Sequence, residues 1–143
     1  MDKQKYLKKY WGYDHFRPYQ ESIIEAVLSK KDCLGVLPTG AGKSLCYQLP
    51  ALMQKGVTLV ISPLIALMQD QVQQLSKIGI KALHFSDATS KQEVSRLIDN
   101  AKFGGHKLVY LAPERLKNEN FLMQLKLLNV SCIAVDEAHC ISE

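Results

Sequence analysis

The sequence predicts an α/β fold in which a mainly parallel sheet is covered on both faces by helices. Short apolar runs alternate with longer amphipathic stretches along the 143 residues, and parallel strands need such helical crossovers between them. The apolar runs also lack polar alternation, which is typical of strands buried on both faces. Together the two observations favour an α/β sandwich over an all-helical or all-β fold.

The N-terminal third predicts helices first and then a strand. A helix is predicted over residues 3–11, and a second begins near Pro18, because proline is favoured at a first helical position. The apolar run 33–37 is predicted to be a strand, and a helix follows from about Lys43. Pro50 is expected to kink or restart that helix, since proline lacks the N–H that a helix interior needs.

The rest of the chain repeats the strand–helix alternation. Strands are predicted at residues 57–62, 80–85, 107–112 and 130–135. Helices are predicted between them at residues 65–77, from Ser90 to the Gly104-Gly105 pair, and at 121–128. We therefore predict two domains, a helical segment at 1–31 and an α/β segment at 32–143.

Composition and charge exclude several classes of protein. The hydrophobic fraction is 47%, the charged fraction 22% and the net charge +4, which permits a polyanionic partner without requiring one. The polar start does not resemble a secretion signal, and no apolar run reaches membrane-spanning length. We therefore expect no membrane contact and a cytoplasmic, nucleoid-associated or nuclear location. His15, His84 and His106 lack metal-ligand spacing and are expected to be exposed or hydrogen-bonded.

A glycine-rich turn at residues 38–44 follows the predicted strand 33–37 and precedes a helix. Such a turn points backbone N–H groups at a phosphate, and its glycines allow close approach. Lys43 is expected to reach the β- and γ-phosphates of ATP, and Ser44 to ligate Mg²⁺. The alternative is an ordinary glycine-rich turn, since Leu37 stands where the general pattern has glycine. The candidate nucleotide ligands are Thr39, Gly40, Ala41, Gly42, Lys43 and Ser44.

An acidic pair, Asp136 and Glu137, follows the last predicted strand. Ligand sites of α/β sheets lie at the carboxyl ends of strands. Asp136 is expected to hold Mg²⁺, and Glu137 to polarise the attacking water. The alternative is a solvated acidic turn, which the phosphate loop upstream disfavours. Lys43, Asp136 and Glu137 are therefore the candidate catalytic residues of an ATP-hydrolysing protein.

Five segments in a fixed order resemble one known family. They read FRPYQ at 16–20, LPTGAGKSLCYQ at 37–48, SPLIALMQDQ at 62–71, APERL at 112–116 and DEAHCIS at 136–142. In this order they resemble the N-terminal part of the RecQ-type DNA helicases of superfamily 2. The resemblance covers the chain from about Trp11 and implies a P-loop NTPase lobe of the RecA-like kind, with three α/β/α layers. An apolar residue at position 37 is usual in that family.

The resemblance also implies how the nucleotide base is recognised. Gln20 would hydrogen-bond the edges of adenine, since an amide offers a donor and an acceptor side by side. Arg17 and Tyr13 would pack against the base. The competing interpretation of this stretch is helix capping together with core aromatic residues.

The DNA contacts and the coupling residue come from the resemblance alone. Two loops match family segments that line a groove for single-stranded DNA: Ser62, Pro63 and Leu64, and Pro113, Glu114 and Arg115. Without the resemblance these are ordinary loop starts. His139 matches the residue that couples hydrolysis to DNA, although an isolated histidine is more often structural.

The resemblance implies a 3′→5′ DNA helicase that couples ATP hydrolysis to unwinding in repair and recombination, with ATP, Mg²⁺ and DNA as ligands. In that family a second lobe supplies an arginine finger, and a strand beyond the acidic motif enters the sheet. The printed residues stop after the DEAH motif, so we expect them to be inactive by themselves. Two alternatives remain: a nucleotide- or DNA-binding module without motor activity, and an unrelated P-loop kinase, which Gln20 and the acidic pair disfavour.

Overall fold

The computed structural model describes residues 2–29, 43–85 and 89–135. They belong to two compact units, Met1–Lys55 and Gly56–Glu143. The predicted division into 1–31 and 32–143 is a different one and stays a prediction. None of the helices in the described ranges is long and apolar enough to cross a membrane.

The described part of the first unit, residues 2–29 and 43–55, is helical. Helix α1 (Lys3–Tyr6) continues into a π-helical turn (Leu7–Trp11), and α2 (Pro18–Leu28) and α3 (Leu45–Met53) follow. The predicted end of the first helix is confirmed at Gly12, whose φ of 77° favours glycine. Its N–H donates to the carbonyls at the start of the π turn, which closes the helical segment.

The core of the first unit is a small cluster of buried side chains: Leu7, Ile24, Leu45 and Leu49. Helix α3 runs through Pro50 without ending there, so the predicted restart of the helix at Pro50 is wrong. Proline removes one helical hydrogen bond. Pro50 is itself buried, as are Leu45 and Leu49 in the same helix, and this packing favours continuing the helix over exposing the apolar side chains.

The second unit contains a four-stranded sheet. Its strands are β1 (Val57–Ile61), β2 (Ala82–Phe85), β3 (Leu108–Leu111) and β4 (Val130–Val135). Their order is β2-β3-β1-β4, and every neighbouring pair is parallel. The predicted parallel sheet is confirmed. The additional strand predicted at 33–37 lies outside the described residues.

Helices cover the sheet on both faces. They are α4 (Ile65–Lys77), α5 (Lys91–Phe103), a 3₁₀ turn (Pro113–Lys117) and α6 (Glu119–Leu125). The crossover from β1 to β2 moves across the sheet in one direction, and the next two crossovers move back. Because such crossovers are right-handed, α4 lies on one face and α5 and α6 lie on the other. The three-layer α/β/α arrangement is confirmed.

The main core lies between the sheet and helices α5 and α6. Alternate strand residues point into it, among them Leu59, Ile61, Phe85, Val109 and Leu111. Helix α4 begins and ends as predicted and buries Met68 and Leu75. Helix α6 starts two residues earlier than predicted, because the Asn118 side chain caps it by accepting from the Phe121 N–H at 3.1 Å.

Candidate nucleotide and DNA site

Lys43 and Ser44 are the described residues of the phosphate loop, and both form the first turn leading into α3. The Lys43 carbonyl accepts from the Cys46 N–H at 3.0 Å, and the Ser44 carbonyl accepts from the Gln48 N–H at 2.9 Å. Within the described part of the chain, the Ser44 side chain makes no capping bond to α3. The Ser44 hydroxyl therefore does not cap the helix. It lies at a helix N-terminus, where anions and their metal ions bind.

The other nucleotide-loop residues lie outside the described ranges. These are Thr39, Gly40, Ala41 and Gly42. Lys43 and Ser44 fit a Mg²⁺–triphosphate group by chemistry and by position at a helix start. Their role toward ATP stays a prediction.

Gln20, predicted to read adenine, is held at the start of α2. It is 5% exposed, and its Oε1 accepts from the Arg17 N–H at 2.9 Å. The side chain thus caps the helix and is also fixed in one orientation, which base recognition requires.

Arg17 and Tyr13 lie on the N-terminal side of α2. The Arg17 guanidinium donates to the Tyr19 hydroxyl at 3.2 Å, and the Tyr13 side chain is 61% exposed. An exposed ring can stack on a planar base. Helices α2 and α3 pack against each other, so these residues share one compact unit with Lys43 and Ser44.

In the second unit, the two loops predicted to contact DNA lie side by side. Ser62 follows β1 and Pro113 follows β3, and these strands are parallel neighbours in which Ile61 is paired with Leu111. The Ser62 N–H donates to the Leu111 carbonyl at 3.0 Å. The sheet register therefore brings the two loops to one edge, although about fifty residues separate them in sequence.

The same edge includes the ends of the outer strands. Phe85 at the end of β2 is paired with Leu111, and Val135 at the end of β4 is paired with Ile61. All four strands thus end in one row. The acidic residues Asp136 and Glu137 directly follow Val135 in the sequence, and they and His139 lie outside the described residues.

Ser62 shapes its loop from within. It is 1% exposed, and its Oγ accepts from the Leu64 N–H at 3.3 Å. Leu64 is 44% exposed and Pro63 is half-buried. The accessible part of this loop is therefore its Pro63-Leu64 end, while the hydroxyl of Ser62 fixes the turn.

Arg115 is half-buried, whereas the neighbouring Glu114 is exposed. The Arg115 Nη2 donates to the Thr89 carbonyl at 2.5 Å, and its guanidinium carbon lies 5.5 Å from the centre of the Phe121 ring. Sequence reasoning did not find Thr89 or Phe121 as partners of Arg115. No sequence pattern marks them, because Thr89 becomes a neighbour only through the pairing of β2 with β3.

The predicted metal ligands cannot be compared as a set, since Asp136 lies outside the described residues. Among the residues that are described, no three histidine, cysteine or acidic side chains come together as a metal site. Magnesium is commonly held by one or two protein ligands and by phosphates, so it does not need such a cluster.

A comparison with protein families decides the broad assignment. The model of the DEAD/DEAH box helicase family matches residues 17–143. The chain belongs to this family. The RecA-like lobe inferred from the five segments agrees with it, since the described sheet is parallel and covered on both faces.

Individual relatives support the RecQ-type resemblance. The chain is 45% identical over 141 residues to "ATP-dependent DNA helicase RecQ" of Bacillus subtilis, covering 98% of the chain and 24% of that protein. It is 46% identical over 138 residues to the protein of the same name from Synechocystis, covering 94% and 29%. The "Probable ATP-dependent DNA helicase RecS" of Bacillus subtilis is 44% identical over 141 residues, covering 98% and 28%.

The RecQ-type resemblance is confirmed by these identities. The chain spans about a quarter of the length of the relatives it matches.

Proposed function

We propose that the chain is the ATP-binding front part of a 3′→5′ DNA helicase, which couples ATP hydrolysis to movement along DNA in repair or recombination. The observation that carries this proposal is the shared carboxyl edge of the sheet. There the loops after β1 and β3, which we expect to contact DNA, lie side by side, next to the strand that leads into the acidic motif. The proposed helicase acts where the cellular DNA is located, in a bacterial nucleoid or a nucleus.

The nucleotide would be held by two groups of residues in the first unit. Lys43 and Ser44, with residues 39–42 before them, take the phosphates, while Gln20, Arg17 and Tyr13 take adenine. When bound, Mg²⁺ offsets charge on the β- and γ-phosphates. Ser44 and Asp136 are its proposed protein ligands, and Glu137 orients the attacking water.

Single-stranded or partly duplex DNA would lie along the sheet edge. The Pro63-Leu64 and Pro113-Glu114 loops contact its backbone, as loops at strand ends do in single-strand binding. His139 would pass the state of the nucleotide to these loops.

Replacing Lys43 tests the nucleotide site. Lys43→Ala removes the ammonium that faces the β- and γ-phosphates, so ATP affinity should fall at least about tenfold, the loss expected for a hydrogen bond between charged groups. The measurement is an equilibrium titration with a fluorescent ATP analogue and Mg²⁺. Lys77→Ala, at the exposed end of α4, is the matched control and should bind like the wild type. Equal affinity of the Lys43→Ala variant and the wild type would count against the phosphate-loop assignment.

A second candidate is binding of nucleotide or DNA without motor activity. These 143 residues span about a quarter of the relatives' length, and this observation favours binding without motor activity for them.

A further inference from the structure

The Arg115 side chain joins three segments of the second unit. It extends from the 3₁₀ turn after β3, donates to the Thr89 carbonyl just before α5, and lies over the ring of Phe121 on α6. A guanidinium can do both at once, because its planar face stacks while its N–H groups point outward from the rim. The 3₁₀ turn is thereby tied to two helices.

Phe121 offers the guanidinium a fixed surface. It is 2% exposed, and its ring meets that of Phe85 edge-on, with centroids 5.1 Å apart and planes at 80°. Phe85 is fully buried at the end of β2. The guanidinium of the half-buried Arg115 therefore packs against a buried ring while it donates to a backbone carbonyl.

We propose that Arg115 is a positioning residue of the DNA-contacting edge and is not one of its phosphate ligands. By holding the Pro113–Lys117 turn against Thr89 and Phe121, it sets where Pro113 and Glu114 meet the DNA backbone. The inference rests on the proposed function, since it assumes that this edge binds DNA.

The two roles of Arg115 predict opposite effects of the charge-conserving variant Arg115→Lys. A phosphate ligand tolerates lysine, which keeps the positive charge. A positioning residue does not, because an ammonium cannot lie flat on Phe121 and reach the Thr89 carbonyl at the same time. Arg115→Met also distinguishes the two roles. If Arg115 were a phosphate ligand, its loss would lower the salt slope of single-strand binding by about 0.7.

The experiment measures binding of a fluorescently labelled single-stranded oligonucleotide by anisotropy over a series of salt concentrations, using the full chain. We expect Arg115→Lys and Arg115→Met to weaken binding by a similar factor, about fivefold from the lost bond and ring contact, with the salt slope unchanged. Arg96→Lys is the matched control, because this arginine is exposed on α5. Nucleotide affinity should not change in any of these variants.

A double-mutant cycle separates positioning from a general loss of stability. Phe121 is buried and cannot touch DNA, so Phe121→Leu should weaken DNA binding only through Arg115. Its effect should therefore be much smaller when Arg115→Lys is already present. If Arg115→Met does not fold, the lysine variant and this cycle provide the test by themselves.

Three results would overturn the inference. Arg115→Lys could bind within twofold of the wild type, the salt slope could fall in Arg115→Met, or the effects of Arg115→Lys and Phe121→Leu could be additive. A wild-type chain that binds no single-stranded DNA would instead overturn the proposed DNA function, and the inference with it.

Discussion

At the residue scale, His84 differs from the expectation that the histidines are exposed or hydrogen-bonded. His84 and His106 are both half-buried, and within the described part of the chain the buried Nδ1 of His84 has no hydrogen-bond partner, whereas His106 has a backbone bond to Asn100. Burial lowers the pKa of both imidazoles; for His106 the charge of Lys81 lowers it further, while a backbone bond to Asn100 acts in the opposite direction. Exposure depends on what packs around a residue, and spacing along the chain does not report it.

These lowered pKa values predict that acid destabilises the second unit. The ordinary pKa of histidine is 6.5, and the folded state favours the neutral ring. The unfolded state therefore binds more protons, so this stability is fully present above pH 6.5 and is lost as the pH falls through the lowered folded pKa. Urea unfolding at neutral pH and at about pH 5 measures the loss. His106→Gln should reduce the loss of stability in acid, whereas His15→Gln, at an exposed site, should leave that loss unchanged. The same pH dependence in the wild type and both variants would contradict the prediction.

At the element scale, the pairing of β1 with β4 depends on a close approach at Gly56. A Cβ atom there would lie 2.3 Å from the Asn129 carbonyl oxygen, which also accepts from the Val57 N–H at 2.7 Å. Gly79 has nearly the same φ, 88° against 89°, but nothing lies within 4 Å of its Cβ position. The two glycines thus differ in crowding and share the same left-handed backbone conformation.

This difference predicts unequal costs for two matched substitutions. Gly79→Ala adds only the strain of a left-handed alanine, about 1 kcal/mol. Gly56→Ala adds a clash with backbone as well, for a total of roughly 3 kcal/mol. Free energies of unfolding from urea titrations measure both. Equal losses would show that β1 and β4 can move apart at no cost.

At the scale of the whole molecule, the share of the relatives' length that the 143 residues span bears on the activity expected of these residues alone. The relatives are about four times longer than the matched part. An arginine from outside the ATP-binding lobe commonly contributes about 10³-fold or more to phosphoryl transfer. Nucleotide and DNA binding need only the groups proposed above.

We therefore predict that the 143 residues, prepared as a separate polypeptide, bind ATP without sustained turnover. Phosphate release measured over many turnovers, with Mg²⁺ and single-stranded DNA, should not rise above that of Lys43→Ala. A rate that DNA stimulates and that Lys43→Ala abolishes would contradict this prediction and show that these residues hold the complete catalytic machinery.

The sequence by itself determined the alternation of strands and helices, the bounds of α4 and β4, and the order of the helicase segments. Each of these depends on local periodicity or on neighbouring residue types. Only the tertiary structure decided the strand order, the register that joins the Ser62 and Pro113 loops, the passage of α3 through Pro50 and the partners of Arg115. Those features arise from packing between residues far apart in the chain, and a short-range pattern carries no information about such contacts.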